Sequence, residues 1–141
     1  MRGPDHKQSS LFSYTNIEDR IAVDHPLRRV KVMADMVLHS MSPTFDSLYA
    51  EGGRPSIAPE RLLRALLLQC LFSIRSERAL IEHLDFNMMF RWFVGLSQDE
   101  PVWDHSSFSA NRDRLFKESV MREFFGGVVA IAEWAELISD E

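Results

Sequence analysis

The sequence predicts an all-α fold, a compact multi-helix domain that contains a helix-turn-helix-like pair. Apolar residues recur at steps of three and four along most of the chain, as they do on the buried faces of amphipathic helices. Capping residues, prolines and glycines stand where these periodic segments begin and end. No segment alternates apolar and polar residues in the manner of a half-buried strand. With 45% apolar residues among 141, the chain can fill one core.

The central pair of helices lies within residues 54–91. Pro59 suits the first position of a helix, so the first helix starts near residue 59. Its apolar stripe comprises Leu62, Leu63, Leu66, Leu67, Cys70 and Leu71. Ser76 is a good N-cap for a second helix from about 77 to 85, whose stripe is Leu80, Ile81 and Leu84. Two capped helices joined by a short polar turn predict a helix-turn-helix.

The segments before the pair predict an arm and two helices. Residues 1–24 form a partly ordered N-terminal arm, and residues 25–141 form the helical domain. The arm's scattered apolar anchors are Leu11, Phe12, Tyr14 and Ile17. A continuous apolar stripe predicts a helix over 26–41. Ser42 and Pro43 suit the cap and first position of a short helix that Gly52 and Gly53 end.

The segments after the pair predict three more helices. The apolar run 87–95 indicates a short buried helix, closed by Gly95 in a left-handed conformation. Ser106 is expected to cap a helix over about 107–118, and a last helix begins at Ser119. Gly126 and Gly127 lie inside that last helix, where glycine is unfavourable, so a kink or close helix packing is expected there.

Composition and charge limit the class of protein. No apolar run reaches the ~20 residues that a bilayer span needs, and no hydrophobic signal region opens the chain, so we expect a soluble, cytoplasmic protein. The net charge is −5, yet residues 26–91 hold nine basic and seven acidic side chains, whereas residues 92–141 hold four and ten. The negative charge is thus concentrated in the last third, which leaves the helix pair compatible with DNA binding.

The sequence offers no catalytic or metal-binding motif. The five histidines are far apart and lack partners at metal-ligand spacing. Asp104 and His105 beside Ser106 and Ser107 are better explained by helix capping than by a hydrolase site. Cys70, the only cysteine, is expected to lie on an apolar helix face. As it stands, the chain is therefore predicted not to be an enzyme, with no catalytic residue, metal or cofactor of its own.

Basic and polar residues are the candidates for DNA contact, with the helix over 77–85 or the helix over 107–118 in the major groove and Arg54, Arg61, Arg64, Arg75 and Arg91 available for phosphates. The helix over 107–118 has a polar, locally basic side, on which Asn111 could pair with adenine. Many of these charges also have an opposite charge four residues away, as Arg78 has in Glu82, so an ordinary solvated helix surface is the alternative. The candidate DNA-binding residues are Arg54, Arg61, Arg64, Arg75, Ser76, Arg78, Arg91, Ser107, Asn111, Arg114 and Lys117.

Several long motifs in order resemble a known family. They are Ser-Leu-Phe-Ser-Tyr at 10–14, His-Pro-Leu-Arg at 25–28, Gly-Arg-Pro-Ser-Ile-Ala-Pro-Glu-Arg-Leu-Leu-Arg-Ala-Leu-Leu-Leu-Gln at 53–69, Ser-Ile-Arg-Ser-Glu-Arg at 73–78, Phe-Arg-Trp-Phe-Val-Gly-Leu at 90–96 and Val-Trp-Asp-His-Ser-Ser-Phe-Ser-Ala-Asn-Arg-Asp-Arg-Leu at 102–115. Together they resemble the N-terminal domain of bacterial DDE-type insertion-sequence transposases, the InsH-like group.

The resemblance implies a function and the partners that go with it. Such a domain binds double-stranded DNA at the transposon's terminal inverted repeats. A following catalytic domain, absent from residues 1–141, holds divalent metal ions such as magnesium for strand cleavage and transfer. The chain is then the front end of a transposase, by natural truncation or otherwise.

An interaction module is the alternative function. The apolar run Met88 to Val94 and the acidic last third would suit a domain that forms a homodimer or docks on the catalytic domain. A truncated copy of this kind could inhibit transposition. The ordinary explanation of that apolar run is burial in the domain's own core.

Overall fold

The computed structural model describes residues 2–7, 11–12, 14–49, 57–117 and 119–139, apart from the side chains of 137–139. Within these residues it has eight helices and no strand, so the predicted all-α fold is confirmed. In chain order they are α1 (Ile17–Arg20), α2 (Pro26–Ser40), α3 (Ser42–Tyr49), α4 (Pro59–Leu71), α5 (Glu77–Phe86), α6 (Met88–Val94), α7 (His105–Lys117) and α8 (Val120–Ser139).

Helix α4 is the centre of the core. It packs against α5, α6, α7 and α8, and its Leu63, Ala65 and Leu68 are fully buried. Pro59 occupies its first turn as predicted. The apolar stripe is confirmed except at its end, where Cys70 and Leu71 are exposed. The prediction that Cys70 lies on a buried face is wrong, because in the last turn of α4 only the side that carries Leu68 is covered by the core.

The connection from α4 to α5 is a tight turn over residues 72–76. The N–H of Ile74 donates to the carbonyl of Gln69 at 3.0 Å, and the N–H of Ser73 donates to that of Cys70 at 3.4 Å. This is the Schellman arrangement, which needs a left-handed residue that Ser73 supplies with a φ of 52°. Ser76 then caps α5 as predicted, its hydroxyl accepting from the N–H of Ala79 at 3.1 Å. The helix-turn-helix interpretation of the pair stays a prediction.

Helix α6 lies inside the domain beside α4. Phe90, Phe93 and Val94 are buried, which confirms that the apolar run is mostly ordinary core. Gly95 ends the helix with a φ of 100°, in the left-handed conformation expected from the sequence. Its N–H and that of Leu96 both donate to the carbonyl of Arg91 at 2.8 Å. This closure turns the chain back toward α4 and starts the loop that leads to α7.

Helix α8 packs closely on α2 at one of its two glycines. A β-carbon added to Gly127 would lie 2.8 Å from Cγ1 of Val37, whereas one added to Gly126 would meet nothing within 4 Å. Gly127 therefore permits the close approach of the two helices, which confirms the expectation of close packing. Gly126 has no described neighbour close enough to require a glycine at its position.

Three expectations from the sequence are corrected by the structure. Of the arm's four predicted anchors only Ile17, within α1, is buried, whereas Leu11, Phe12 and Tyr14 are exposed. Asp104 rather than Ser106 caps α7, because its carboxylate lies one residue before the helix and accepts from the N–H of Ser107 at 3.3 Å. Ser42 lies within α3 instead of preceding it. Gly52 and Gly53, the predicted end of α3, fall outside the described residues.

Candidate nucleic-acid interface

Two arginines on α4 bind neighbouring parts of the protein. The guanidinium of Arg61 donates to both carboxylate oxygens of Glu100, at 2.5 and 3.2 Å, and to the carbonyl of Gly95 at 2.7 Å. Arg64 donates to Asp35 on α2 at 3.0 Å and to the carbonyl of Val94 at 3.4 Å. Both side chains are partly buried by these contacts. Their donors hold α2 and the loop after α6 against α4, which leaves little to offer a phosphate.

The ion pair of Arg61 changes the acidity of its partner. Hydrogen bonds from the Arg61 guanidinium, and then from the backbone N–H of Ser97, hold the pKa of Glu100 below its usual value. Glu100 therefore stays ionised to a lower pH than an unperturbed glutamate does. The pair clamps the loop after α6 onto the first turn of α4.

Arg91 is a structural residue of the core. Its side chain is enclosed, the whole residue being 5% exposed, and it donates to the carbonyls of Leu84 and Asp85 at 2.8 and 3.4 Å. It also donates to the carbonyls of Ser97 and Glu100. These carbonyls belong to the end of α5 and to the loop after α6, which Arg91 ties together. The structure thus places Arg91 in the core, with its guanidinium donating to carbonyls of the protein itself.

The polar side of α7 is also largely occupied by protein contacts. The hydroxyl of Ser107 donates to Asp104 at 2.7 Å, and the amide of Asn111 donates to the carbonyl of Ser107 at 2.7 Å. Arg114 donates to the carbonyl of Leu48 at 3.1 Å and lies 4.3 Å from the centre of the Tyr49 ring. This side of α7 therefore faces α3 over part of its length. Lys117, at the end of the helix, is exposed.

The first turn of α5 and the residue before its cap differ from α4 and α7. Arg75, Ser76 and Arg78 are all exposed. Within the described part of the chain, neither arginine forms an ion pair, and the pair expected between Arg78 and Glu82 is not formed. Two free guanidiniums thus flank the hydroxyl that caps α5. Arg54, the remaining predicted contact, lies outside the described residues.

The outward face of α5 carries mixed chemistry. It lies opposite the fully buried Leu80 and Leu84. Its exposed side chains are Arg78, Glu82, His83, Asp85 and Phe86. Groups of these kinds match different base edges in a major groove: arginine pairs with guanine, a carboxylate accepts from cytosine, and an apolar ring contacts the thymine methyl. Such a face can discriminate sequences through several kinds of base-edge contact.

Two further features are absent from the described residues. They contain no group of three or more His, Cys, Asp or Glu that could hold a metal ion. None of the helices there is long and apolar enough to cross a membrane.

The class of protein follows from comparison with known families. A family model described as a transposase domain (DUF772) matches residues 15–114, more than half of the chain. The chain therefore belongs to the DUF772 transposase domain family. The matched region runs from the arm to Arg114 in α7, so it includes the α4–α5 pair and all of α6. Comparison with curated proteins and with solved structures gave no significant match.

Proposed function

We propose that this chain is the N-terminal DNA-binding domain of an insertion-sequence transposase of the InsH-like group, and that α5 enters the major groove of the terminal inverted repeats. The observation that carries the proposal is the pair of exposed guanidiniums at Arg75 and Arg78, one on each side of the α5 cap, which form no ion pair with any described residue. The other described arginines on α4, α6 and α7 donate to carboxylates or carbonyls of the protein.

The geometry of α5 suits this role. The second helix of a helix-turn-helix contacts base edges with the residues of its N-terminal part, while neighbouring residues bind the backbone. Arg75 and Ser76 lie just before the first residue of α5, where they can reach phosphates, and Arg78 lies in its first turn, where it can reach a base. An α-helix with its side chains is about 10–12 Å across, which fits a major groove about 12 Å wide, and the 10 residues of α5 give about 15 Å of axis to lie in it.

The remaining helices act as a support for α5 in this proposal. Helix α4 buries most of its surface, and α7 packs against both α4 and α5. Because the donors of Arg61, Arg64 and Arg114 are engaged, these residues position helices and do not bind DNA. The choice of α5 over α7 thus follows from where free donors remain.

The domain's part in transposition is to bring the transposon ends to a catalytic domain. Cleavage and strand transfer, together with the magnesium they use, belong to that catalytic domain in this proposal. Double-stranded DNA and the catalytic domain are then the partners, and the site of action is the bacterial cytoplasm.

A titration of labelled duplexes tests the choice of helix. Fluorescence anisotropy would compare an inverted-repeat duplex with a shuffled one at several salt concentrations. Replacing Arg75 and Arg78 together by Met is expected to weaken repeat binding at least about tenfold and to lower the salt slope by about one, the contribution of the phosphate contact at Arg75. Arg122→Met on α8 removes an equal charge from an exposed site and serves as the control for each substitution.

The same titration also tests α7 as the helix that enters the groove. Lys117→Met should affect binding no more than Arg122→Met does if α5 is the helix in the groove. A larger loss from Lys117→Met than from the double Arg75 and Arg78 variant would transfer the interface to α7. Equal affinity of the unaltered chain for both duplexes at every salt concentration would reject sequence-specific binding altogether.

An interaction module remains the second candidate function, favoured by a specific observation. Helix α2 exposes Val32 and Met36, 59% and 57% accessible and one turn apart, and α8 exposes Trp134 at 65%. A homodimer or a contact with the catalytic domain would cover such side chains. Light scattering of the chain alone and mixed with a catalytic domain tests this. A monomer with no shift on mixing, and unchanged by Met36→Lys, would reject it.

A further inference from the structure

Arg112 on α7 contacts α5 and differs in its role from Arg75 and Arg78. Arg112 forms an ion pair with Glu77, the first residue of α5, and a second pair with Asp113 beside it at 2.8 Å. The Glu77 side chain is only 12% exposed. Its other carboxylate oxygen is buried without a hydrogen-bond partner among the described residues. Arg112 is therefore the counter-charge that the described structure provides for a buried carboxylate at the start of α5.

Glu77 lies between the two residues that carry the proposed interface. It follows the cap Ser76 and precedes Arg78. Without Arg112, the carboxylate would remain buried and uncompensated, or it would rotate into solvent. Rotation would place a negative charge between Arg75 and Arg78, where it would repel DNA phosphates, and would disturb the first turn of α5. Either result would impair the end of α5 that faces the DNA.

We infer that Arg112 is a positioning residue for DNA binding, which neutralises and holds Glu77 so that the first turn of α5 is set for the groove, and that Arg112 itself contacts no phosphate. This inference rests on the proposed function. An arginine on a polar helix of a DNA-binding domain would ordinarily be expected to contact a phosphate. The donors of Arg112 point instead to carboxylates on α5 and α7.

A charge-rescue experiment on the full chain tests the inference. Arg112→Met alone is expected to weaken binding of the inverted-repeat duplex at least about tenfold. Adding Glu77→Gln removes the carboxylate that needed the arginine and should restore affinity to within about threefold of the unaltered chain, with the same salt slope. Affinities are compared at a temperature where circular dichroism shows every variant folded.

A second carboxylate provides the matched control. Glu123 is exposed in the first turn of α8, and Glu123→Gln changes the net charge by the same amount. Combined with Arg112→Met, it should give no rescue. Equal rescue by Glu123→Gln would mean that net charge alone governs affinity, which would overturn the inference.

The remaining outcomes separate this inference from the proposed function. A folded double variant of Arg112 and Glu77 that stays weak, with a salt slope lower by about one, would make Arg112 a phosphate contact and overturn the inference. If Arg112→Met alone does not fold, the double variant is compared directly with the unaltered chain, and the same criterion applies. Failure of the unaltered chain to prefer the repeat duplex would instead reject the proposed function.

Discussion

The start of α5 and the region from α6 to α7 carry arginines that look alike in sequence and differ in what they contact. Arg91 and Arg114 donate to backbone carbonyls, and Arg112 donates to carboxylates. Arg75 and Arg78 are exposed and form no ion pair with any described residue. Whether an arginine keeps free donors is thus decided by the acceptors that the fold brings within its reach. Net charge and helix position do not decide it.

The largest expected effect is the loss of stability when Arg91, which donates to carbonyls inside the protein, is replaced. Arg91→Met would leave several carbonyls at the end of α5 and in the loop after α6 without their donor. We expect the free energy of unfolding to fall by about 2–4 kcal/mol, since each buried group left unpaired costs about 1–3 kcal/mol. Urea denaturation followed by circular dichroism measures this.

The control for Arg91 is a free arginine with the same substitution. Arg78→Met removes an exposed side chain without an ion pair in the described structure, so its effect should stay within about 0.5 kcal/mol. Similar losses for the two variants would mean that Arg78 has a structural role and that the division between the regions is wrong.

The helix order was predictable from sequence because its signals are local. Apolar spacing, Pro26 and Pro59 at helix starts, Ser76 as a cap and Gly95 as a stop each act within one or two turns. The partners of the arginines were not predictable. Their acceptors are brought close only by the tertiary fold, across 39 residues for Arg61 with Glu100 and 35 for Arg112 with Glu77.

The candidate site was predictable only in part for the same reason. Arg75, Ser76 and Arg78 were among the predicted contacts, and they are exposed together. A sequence cannot show that Arg91 is buried, since an arginine within an apolar helix can also extend to solvent. The four-residue spacing of Arg78 and Glu82 predicts an ion pair that the described structure does not form. An exposed pair of this kind contributes too little free energy to hold two long side chains together.

A smaller effect separates the two helix caps. Ser76→Ala removes the hydroxyl that accepts from the N–H of Ala79 and should lower the free energy of unfolding by about 1 kcal/mol. Ser106→Ala is the matched change in α7. Because Asp104 caps that helix, Ser106→Ala should have almost no effect in thermal and urea unfolding. A loss at Ser106 equal to that at Ser76 would restore Ser106 as the cap.

The pH dependence of stability tests whether the ion pair of Arg61 with Glu100 stabilises the fold. The folded pKa of Glu100 is lowered chiefly by Arg61, so the pair stabilises the fold above the ordinary carboxyl pKa of about 4.3. That contribution is lost as pH falls through the lower folded pKa. Because Glu100 stays partly exposed, Glu100→Gln should reduce stability by only about 0.2–1 kcal/mol at pH 7.

Unfolding curves of the Glu100→Gln variant at several pH values test this expectation. The stability difference between the unaltered chain and Glu100→Gln should shrink below about pH 4.3 and approach a constant in stronger acid. Asp99→Asn, an exposed neighbour, controls for the loss of a carboxylate in this loop. A difference that does not depend on pH would mean that the ion pair with Arg61 contributes nothing.

The smallest expected effect is on α7, and it concerns DNA discrimination. The side-chain amide of Asn111 donates to the carbonyl of Ser107 within its own helix. If α5 reads the bases, Asn111→Ala should change the ratio of affinities for repeat and shuffled duplexes by less than about twofold. If α7 reads them, loss of a bidentate contact to adenine would lower discrimination by about 1–3 kcal/mol, that is, from about fivefold to more than about a hundredfold. Arg78→Met, which should lower the ratio under the α5 arrangement, provides the reference in the same titration.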